Sequence, residues 1–225
     1  MESVSRIEEV FCKNLDTVIE LLNFDRIILD TCTHHIESLN EKLKAAPFEI
    51  GNKLYLADHT LKTIKNVRTN DSLRPKYKHI FNSCLVLQVS YFTSALEEMF
   101  HVKINNIEME NIPPELKKHR PNFQNLFSAK KTFKNYLLID IESLISKALF
   151  NDILVAVNSR HNIVHALGVI DEKFIKQTQN ATPRKLKEKC KIDQKLEFSA
   201  EEIIQVKETF EKFIKLLRIK LETIS

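Results

Sequence analysis

The sequence predicts an all-α fold, a helical bundle preceded by a long N-terminal helical extension, and three observations carry that expectation. Glycine appears twice and proline six times in 225 residues, below the shares of about 7% and 5% typical of globular chains. Apolar residues recur at steps of three and four along most of the chain, the period of a helix with one buried face. One stretch, residues 77–102, YKHIFNSCLVLQVSYFTSALEEMFHV, is apolar around most of its circumference, as expected of a helix enclosed by others. With 43% hydrophobic residues, a chain of this length can build a core without metals or crosslinks.

The elements follow in order. Ile7, Phe11, Leu15, Val18, Leu22, Ile28, Cys32, Ile36, Leu39 and Leu43 trace one long amphipathic helix or two in tandem, stopped at Ala45-Ala46-Pro47 because the residue before proline disfavours helix. Leu54, Leu56, Leu61, Ile64 and Val67 mark a shorter helix, so that residues 1–68 form the extension and 75–225 the bundle, packed as one compact unit. The helix over 77–102 is the expected organiser of the core. Pro113, Pro114 and Pro121 make 104–122 an irregular connector. Helical patterning returns over 126–137 and 139–157, where Ile141, Leu144, Ile145, Ala148, Leu149, Ile153, Val155 and Ala156 supply an inward stripe. Residues 176–198 are polar, basic and aperiodic, a surface excursion with a short extended piece. Ser199 with Glu202 three residues later forms a capping box, and Phe198 with Ile203 a hydrophobic staple, at the head of the closing helix.

Several function classes are set aside by composition. No window approaches the ~18 apolar residues of a membrane span, and the start, MESVSRIEEVF, is acidic rather than signal-like. Cys12, Cys32, Cys84 and Cys190 lack paired spacing, and the first three fall on apolar helical faces, where cysteine serves as a small hydrophobe. These features predict a soluble protein of a reducing, cytoplasmic compartment, away from membranes. The net charge of +4 is unevenly spread. Residues 1–41 hold nine acids and three bases, 117–134 six Lys/Arg and no acid, and 173–195 eight Lys/Arg against two acids. Basic runs are usually solvated surface; two of them flanking a polar cluster raise the expectation of an anionic partner.

That cluster is NSRHNIVHALGVIDEKF, residues 158–174. Helical spacing puts His161 and His165 on one face, with Arg160 beside them and Asn158 and Asn162 nearby, while Ile163 and Val164 are expected to turn toward the core. Three readings compete. The groups can be satisfied surface or interface residues. The histidine pair can hold a metal, although Asn162 stands where zinc proteases place glutamate and no third ligand is indicated. Or they can perform acid–base chemistry on a phosphodiester: histidine exchanges a proton near neutral pH, and arginine stays cationic and grips phosphate oxygens in pairs. RNA carries its own nucleophile, the 2′-hydroxyl, so proton transfer and charge stabilisation suffice and no cofactor is needed. Gly168 is expected to end the turn and Asp171 to cap the next short helix.

The run Arg160-His161-Asn162-Ile163-Val164-His165 resembles the Arg-x4-6-His motif of the HEPN superfamily (higher eukaryotes and prokaryotes nucleotide-binding). The longer RHNIVHALGVIDEKF is similar to its RiboL-PSP-HEPN and MAE-type members, and the likeness covers roughly residues 75–222, with Ser90-Tyr91-Phe92, Leu96-Glu97 and EFSAEEI in comparable places. The resemblance implies an α-helical bundle, a homodimer joined through the motif face, and a metal-independent endoribonuclease acting as a toxin or antiviral-defence effector, with an antitoxin or defence-system partner. It implies that Arg160 and His165 are the catalytic pair, with His161, Asn158 and Asn162 supporting them. Ala166-Leu167 departs from relatives that are polar there, and no tyrosine follows His165, which argues against variants regulated by nucleotide transfer onto tyrosine. Lys130, Lys131, Lys134, Arg184, Lys185 and Lys187 are candidate RNA phosphate contacts. The alternatives are a catalytically silent HEPN-type scaffold that binds a nucleotide or a protein, and a phosphate-binding structural domain of a larger complex.

Overall fold

A serine starts the first helix. Ser3 lies in extended backbone and its side chain accepts a hydrogen bond from the Arg6 amide, so α1 runs from Val4–Lys44 as one helix of 41 residues. The structure, a computed structural model, describes residues 3–45, 55–63, 74–105, 121–178 and 191–224. The helix over 55–63 is labelled α2; α3 is Arg74–Asn105, α4 Leu126–Leu137, α5 Lys147–His165, α6 Glu172–Thr178 and α7 Ala200–Glu222, with a 3-10 turn at Ile141–Leu144. The fold is all-α: among the described residues the one β feature is an isolated antiparallel bridge between Val169 and Lys195. That bridge is the short extended piece expected inside 176–198. No helix among the described residues is long and apolar enough to cross a membrane. Of the connector expected over 104–122, residues 104 and 105 belong to α3 and 106–120 lie outside the described residues, as do residues 179–190 of the basic excursion.

α3 is the axis of the molecule, with Leu85, Val89, Phe92, Leu96, Met99 and Phe100 all buried. Phe92 stacks on Phe210 of α7 at 4.2 Å, meets Phe213 edge-on at 5.5 Å and tilts against Phe11 of α1 at 6.5 Å. Offset or edge-on aromatic pairs add to the stabilisation that burial alone provides. Ile7, Phe11, Leu15, Val18 and Leu22 of α1 and Ile203, Val206, Phe210, Phe213, Ile214 and Leu217 of α7 complete one core cluster with α3.

The far half of α1 departs from expectation. Its apolar stripe predicted burial through Leu43, yet Ile28, Cys32 and Leu39 are exposed. Helix lengths account for this: at 1.5 Å per residue, the 41 residues of α1 far outreach the 23 of α7. Near its end α1 meets α2 instead, where the buried Asn40 donates to Asp58 and Ala57 is covered.

The segment expected as a helix over 139–157 is two pieces. Leu138 turns left-handed at φ 57°, Asp140 caps the 3-10 turn by accepting from the Glu142 amide, and Ile145 is extended. Ser146 then caps α5, accepting from Leu149 N at 3.4 Å. Two short polar side chains thus divide an apolar run that periodicity alone reads as continuous, and the shifted phase leaves Ala148 exposed. At the other end the expected capping box is present, Ser199 and Glu202 each bonding the other's backbone amide. Asn82 of α3 clamps the approach to α7, donating to the Leu196 carbonyl at 2.9 Å and accepting from Phe198 N at 3.3 Å.

Phe92→Ala opens a void between three helices and should cost about 3–5 kcal/mol, whereas Ser199→Ala should cost about 1 kcal/mol. Urea denaturation of the two variants beside the wild type checks both the values and their ranking.

Candidate functional site

α5 delivers the polar cluster because its body is apolar. Phe150, Ile153, Leu154, Ala156 and Val157 are buried in the main core, which fixes the helix axis and roll and leaves the last two turns at the rim. The helix then closes on one residue. The Asn162 carbonyl accepts the Ala166 amide at 2.8 Å and the Gly168 amide at 3.2 Å, while its side-chain Nδ2 donates to the Val169 carbonyl at 2.8 Å. Leu167 and Gly168 between them take φ values of 53° and 73°, a left-handed pair that reverses the chain. Gly168 plays the terminating part the sequence predicts.

The reversed chain is held from behind. Leu196 N donates to the Gly168 carbonyl at 2.8 Å and Ile170 N to the Gln194 carbonyl at 2.8 Å. Ile170, Phe174 and Leu196 form a second small core. Asp171 caps α6 as expected, its Oδ1 accepting from Phe174 N at 2.7 Å. These contacts lay α6 beside the end of α5 and enclose a surface cavity of about 140 Å³ lined by Asn158, His161, Asn162, His165, Ala166, Asp171, Lys173, Phe174 and Gln177.

Four of the predicted residues therefore meet in one cavity: Asn158, His161, Asn162 and His165. The two imidazoles lie 4.6 Å apart between ring centroids and are inclined by 49°, close enough for one phosphate to touch both. Arg160 is half-buried and is not part of the cavity wall. The reason is geometric: five residues turn a helix by roughly 500°, which puts Arg160 and His165 about 140° apart around the axis. Val164 faces solvent instead of the core, while Ile163 packs on the core as expected. Lysine and glutamine from α6, Lys173 and Gln177, were not singled out in the sequence. The DEKFIKQ pattern marks a helix, but the face it turns toward α5 depends on the reversal at Leu167-Gly168.

Electrostatics favour a neutral His161. Loss of hydration against the cavity wall pushes its pKa below the usual histidine value, and the positive groups of His165, Lys173 and Arg160 add to this, with Asp171 opposing. Of the candidate phosphate contacts, Lys130 is already paired with Glu142 and sits 4.0 Å from Asp140, which raises its pKa through the Glu142 hydrogen bond. Lys131 and Lys134 are exposed; Arg184, Lys185 and Lys187 lie outside the described residues. Among the described residues no three His, Cys, Asp or Glu side chains gather as a metal site would require.

Comparison of the chain with protein-family models, curated protein sequences and solved structures returns no match. The chemistry of the site rests on its own residues.

Gly168→Ala should lose about 1–2 kcal/mol from the left-handed backbone alone, because the new Cβ would meet only Ile163 Cγ1, at a comfortable 3.9 Å. Thermal unfolding measures this. In an NMR titration His161 should protonate at a lower pH than a free histidine, and its midpoint should rise part of the way back in His165→Gln, since one of the opposing charges is gone while desolvation stays.

Proposed function

We propose that the protein is a metal-independent endoribonuclease of the HEPN type, working as a homodimer on single-stranded RNA. The observation that carries the reading is the histidine pair on one cavity wall, His161 and His165 with ring centroids 4.6 Å apart, at the end of a helix whose adjoining residue is Arg160.

The reaction asks little of the protein. The 2′-oxygen attacks the adjacent phosphorus, a neutral imidazole takes the proton from the 2′-hydroxyl, and the P–O5′ bond breaks. The departing 5′-oxygen takes a proton from an imidazolium on the opposite side, leaving a 2′,3′-cyclic phosphate and a 5′-hydroxyl. No water, metal or redox partner enters the balance. Base and acid must flank the phosphorus in line, and the side-by-side imidazoles of one chain share one flank. A two-fold axis beside the motif supplies the second flank from the other copy, since a C2 interface is self-complementary. The same axis gives Arg160 a phosphate to contact: a guanidinium about 140° around the helix from His165 serves the neighbouring copy's cleft better than its own. A role as toxin or defence effector, with a cognate inhibitor, belongs to this reading.

One observation favours a second reading. Arg160 stays off the cavity wall, as suits a scaffold that holds a nucleotide without cutting it.

Purified protein should cleave total RNA in EDTA and yield fragments ending in cyclic phosphate and 5′-hydroxyl. Arg160→Ala and His165→Ala should each lower the rate by about 10²–10⁴-fold, the usual weight of one acid–base or charge-stabilising group. Wild-type protein that leaves RNA intact, or variants as active as wild type, would reject the nuclease; a strictly monomeric active protein would reject the shared cleft.

A further inference from the structure

We infer that Lys173 of α6 is the cation that holds the RNA phosphate against His161 and His165 within one chain. This deepens the proposed function and rests on reading the site as an RNA site; it adds which side chain grips the backbone there.

His161, His165 and Lys173 all line the cavity and all are exposed, so a ligand reaches them without any rearrangement of the fold. Arg160 is not part of that wall. Lys173 arrives there on the helix that the left-handed Leu167-Gly168 pair turns back beside α5. Its charge is felt at the neighbouring ring. Loss of hydration and then His165 do most to lower the His161 pKa; Lys173 follows, ahead of Arg160, although Arg160 adjoins His161 in the chain. The ammonium is therefore within electrostatic reach of the imidazole from across the cavity.

Lys173 is also uncommitted. Lys130 bonds Glu142, Lys207 lies 2.8 Å from Asp16 and 3.1 Å from Glu211, and on α6 itself Lys176 lies 3.8 Å from Glu172. Lys173 forms no such pair with a described residue. The one acid of the cavity wall, Asp171, is turned to its own helix, accepting from Phe174 N at 2.7 Å. Two imidazoles and an ammonium thus share an opening with little counter-charge of its own. Protonating either ring there is opposed by its neighbours until an anion sits among them. A backbone phosphate supplies that charge, and lysine, a compact cation with three donors on a flexible stem, grips it without demanding one orientation. Gln177, one turn after Lys173 on the same face of α6, lines the cavity as well and offers an amide donor to a phosphate oxygen.

Imidazole NMR of the full chain at constant ionic strength tests this with two probes: inorganic phosphate, and a short oligodeoxythymidylate, which lacks the 2′-hydroxyl and cannot be cut. Both should shift the His161 and His165 ring resonances and raise the His161 midpoint, because a bound anion favours the imidazolium that His165, Lys173 and Arg160 oppose and Asp171 already assists. Lys173→Gln should weaken oligonucleotide binding about tenfold, the weight of one charge-assisted hydrogen bond, with the unfolding temperature unchanged because the side chain is exposed. Lys173→Arg should restore most of that affinity. Lys176→Gln removes the same charge from the same helix, off the cavity wall, and should change binding by less than about threefold, the weight of a solvated charge. Undiminished binding by Lys173→Gln, an equal loss in Lys176→Gln, binding of inorganic phosphate without the oligonucleotide, or no binding of either at millimolar concentration would overturn the assignment. Because the strand cannot be cut, a protein that passes this test yet leaves RNA intact loses only the nuclease reading, and a nuclease whose strand binding ignores Lys173 loses only this assignment.

Discussion

Phe92 occupies the point where α1, α3 and α7 converge, and the rest of the architecture is built around the need to cover that ring. Its partners, Phe11, Phe210 and Phe213, come from the first and last helices of the chain, so closing this cluster brings together segments about 200 residues apart in sequence. Once α1 and α7 are seated, α5 has one remaining apolar groove to fill against α3 and α7. Its polar end is thereby carried to the rim. A second line of connection runs from the core to the site through hydrogen bonds. Asn82 holds the Leu196 carbonyl and the Phe198 amide, and the Leu196 amide in turn holds the Gly168 carbonyl. The turn behind the cavity is in this way tied to the central helix through Leu196 and Asn82.

Unsatisfied polar atoms are not scattered evenly over this fold. Among the described residues, buried side-chain atoms without a partner are Asn40 Oδ1, Gln88 Oε1, Asn158 Nδ2, Ser159 Oγ and Asn162 Oδ1. Three of the five fall within one five-residue stretch of α5. Native structures pair nearly all such groups, so a local concentration of this kind marks a region shaped by something other than folding stability. Ser159 faces the core, completely buried, and its hydroxyl has no account beyond that placement. The two asparagines are among the residues that line the cavity.

Much of the bundle was legible in the residues. Ser199 and Glu202, an all-round apolar run over 77–102, and Asp171 ahead of DEKFIKQ are local signals whose physics is complete within a few residues, and each appears in the structure as expected. What failed to show was whatever depends on the partner of a segment. The stripe through Ile28, Cys32 and Leu39 has perfect helical period, yet nothing local says that the opposing helices end first. Asp140 and Ser146 read as ordinary polar positions inside a helix until their side chains are seen bonding backbone amides. In the site, i and i+4 spacing placed His161 and His165 together correctly, and the same arithmetic separates Arg160 from them. The contribution of α6 was hidden because it depends on a left-handed Leu167, a conformation that a leucine does not advertise.

Asn162, a residue of the cavity lining, closes the helix with its carbonyl and holds Val169 with its side chain. Fraying of the final turn and loss of the cavity's shape are therefore a single opening event, governed by one equilibrium. Any molecule that fills the closed form pulls that equilibrium toward order by mass action, and amide hydrogens at Ala166 and Gly168, both bonded to the Asn162 carbonyl, would exchange more slowly with occupancy. The protein carries a built-in reporter of what it holds, readable without labels and far from any assay of turnover.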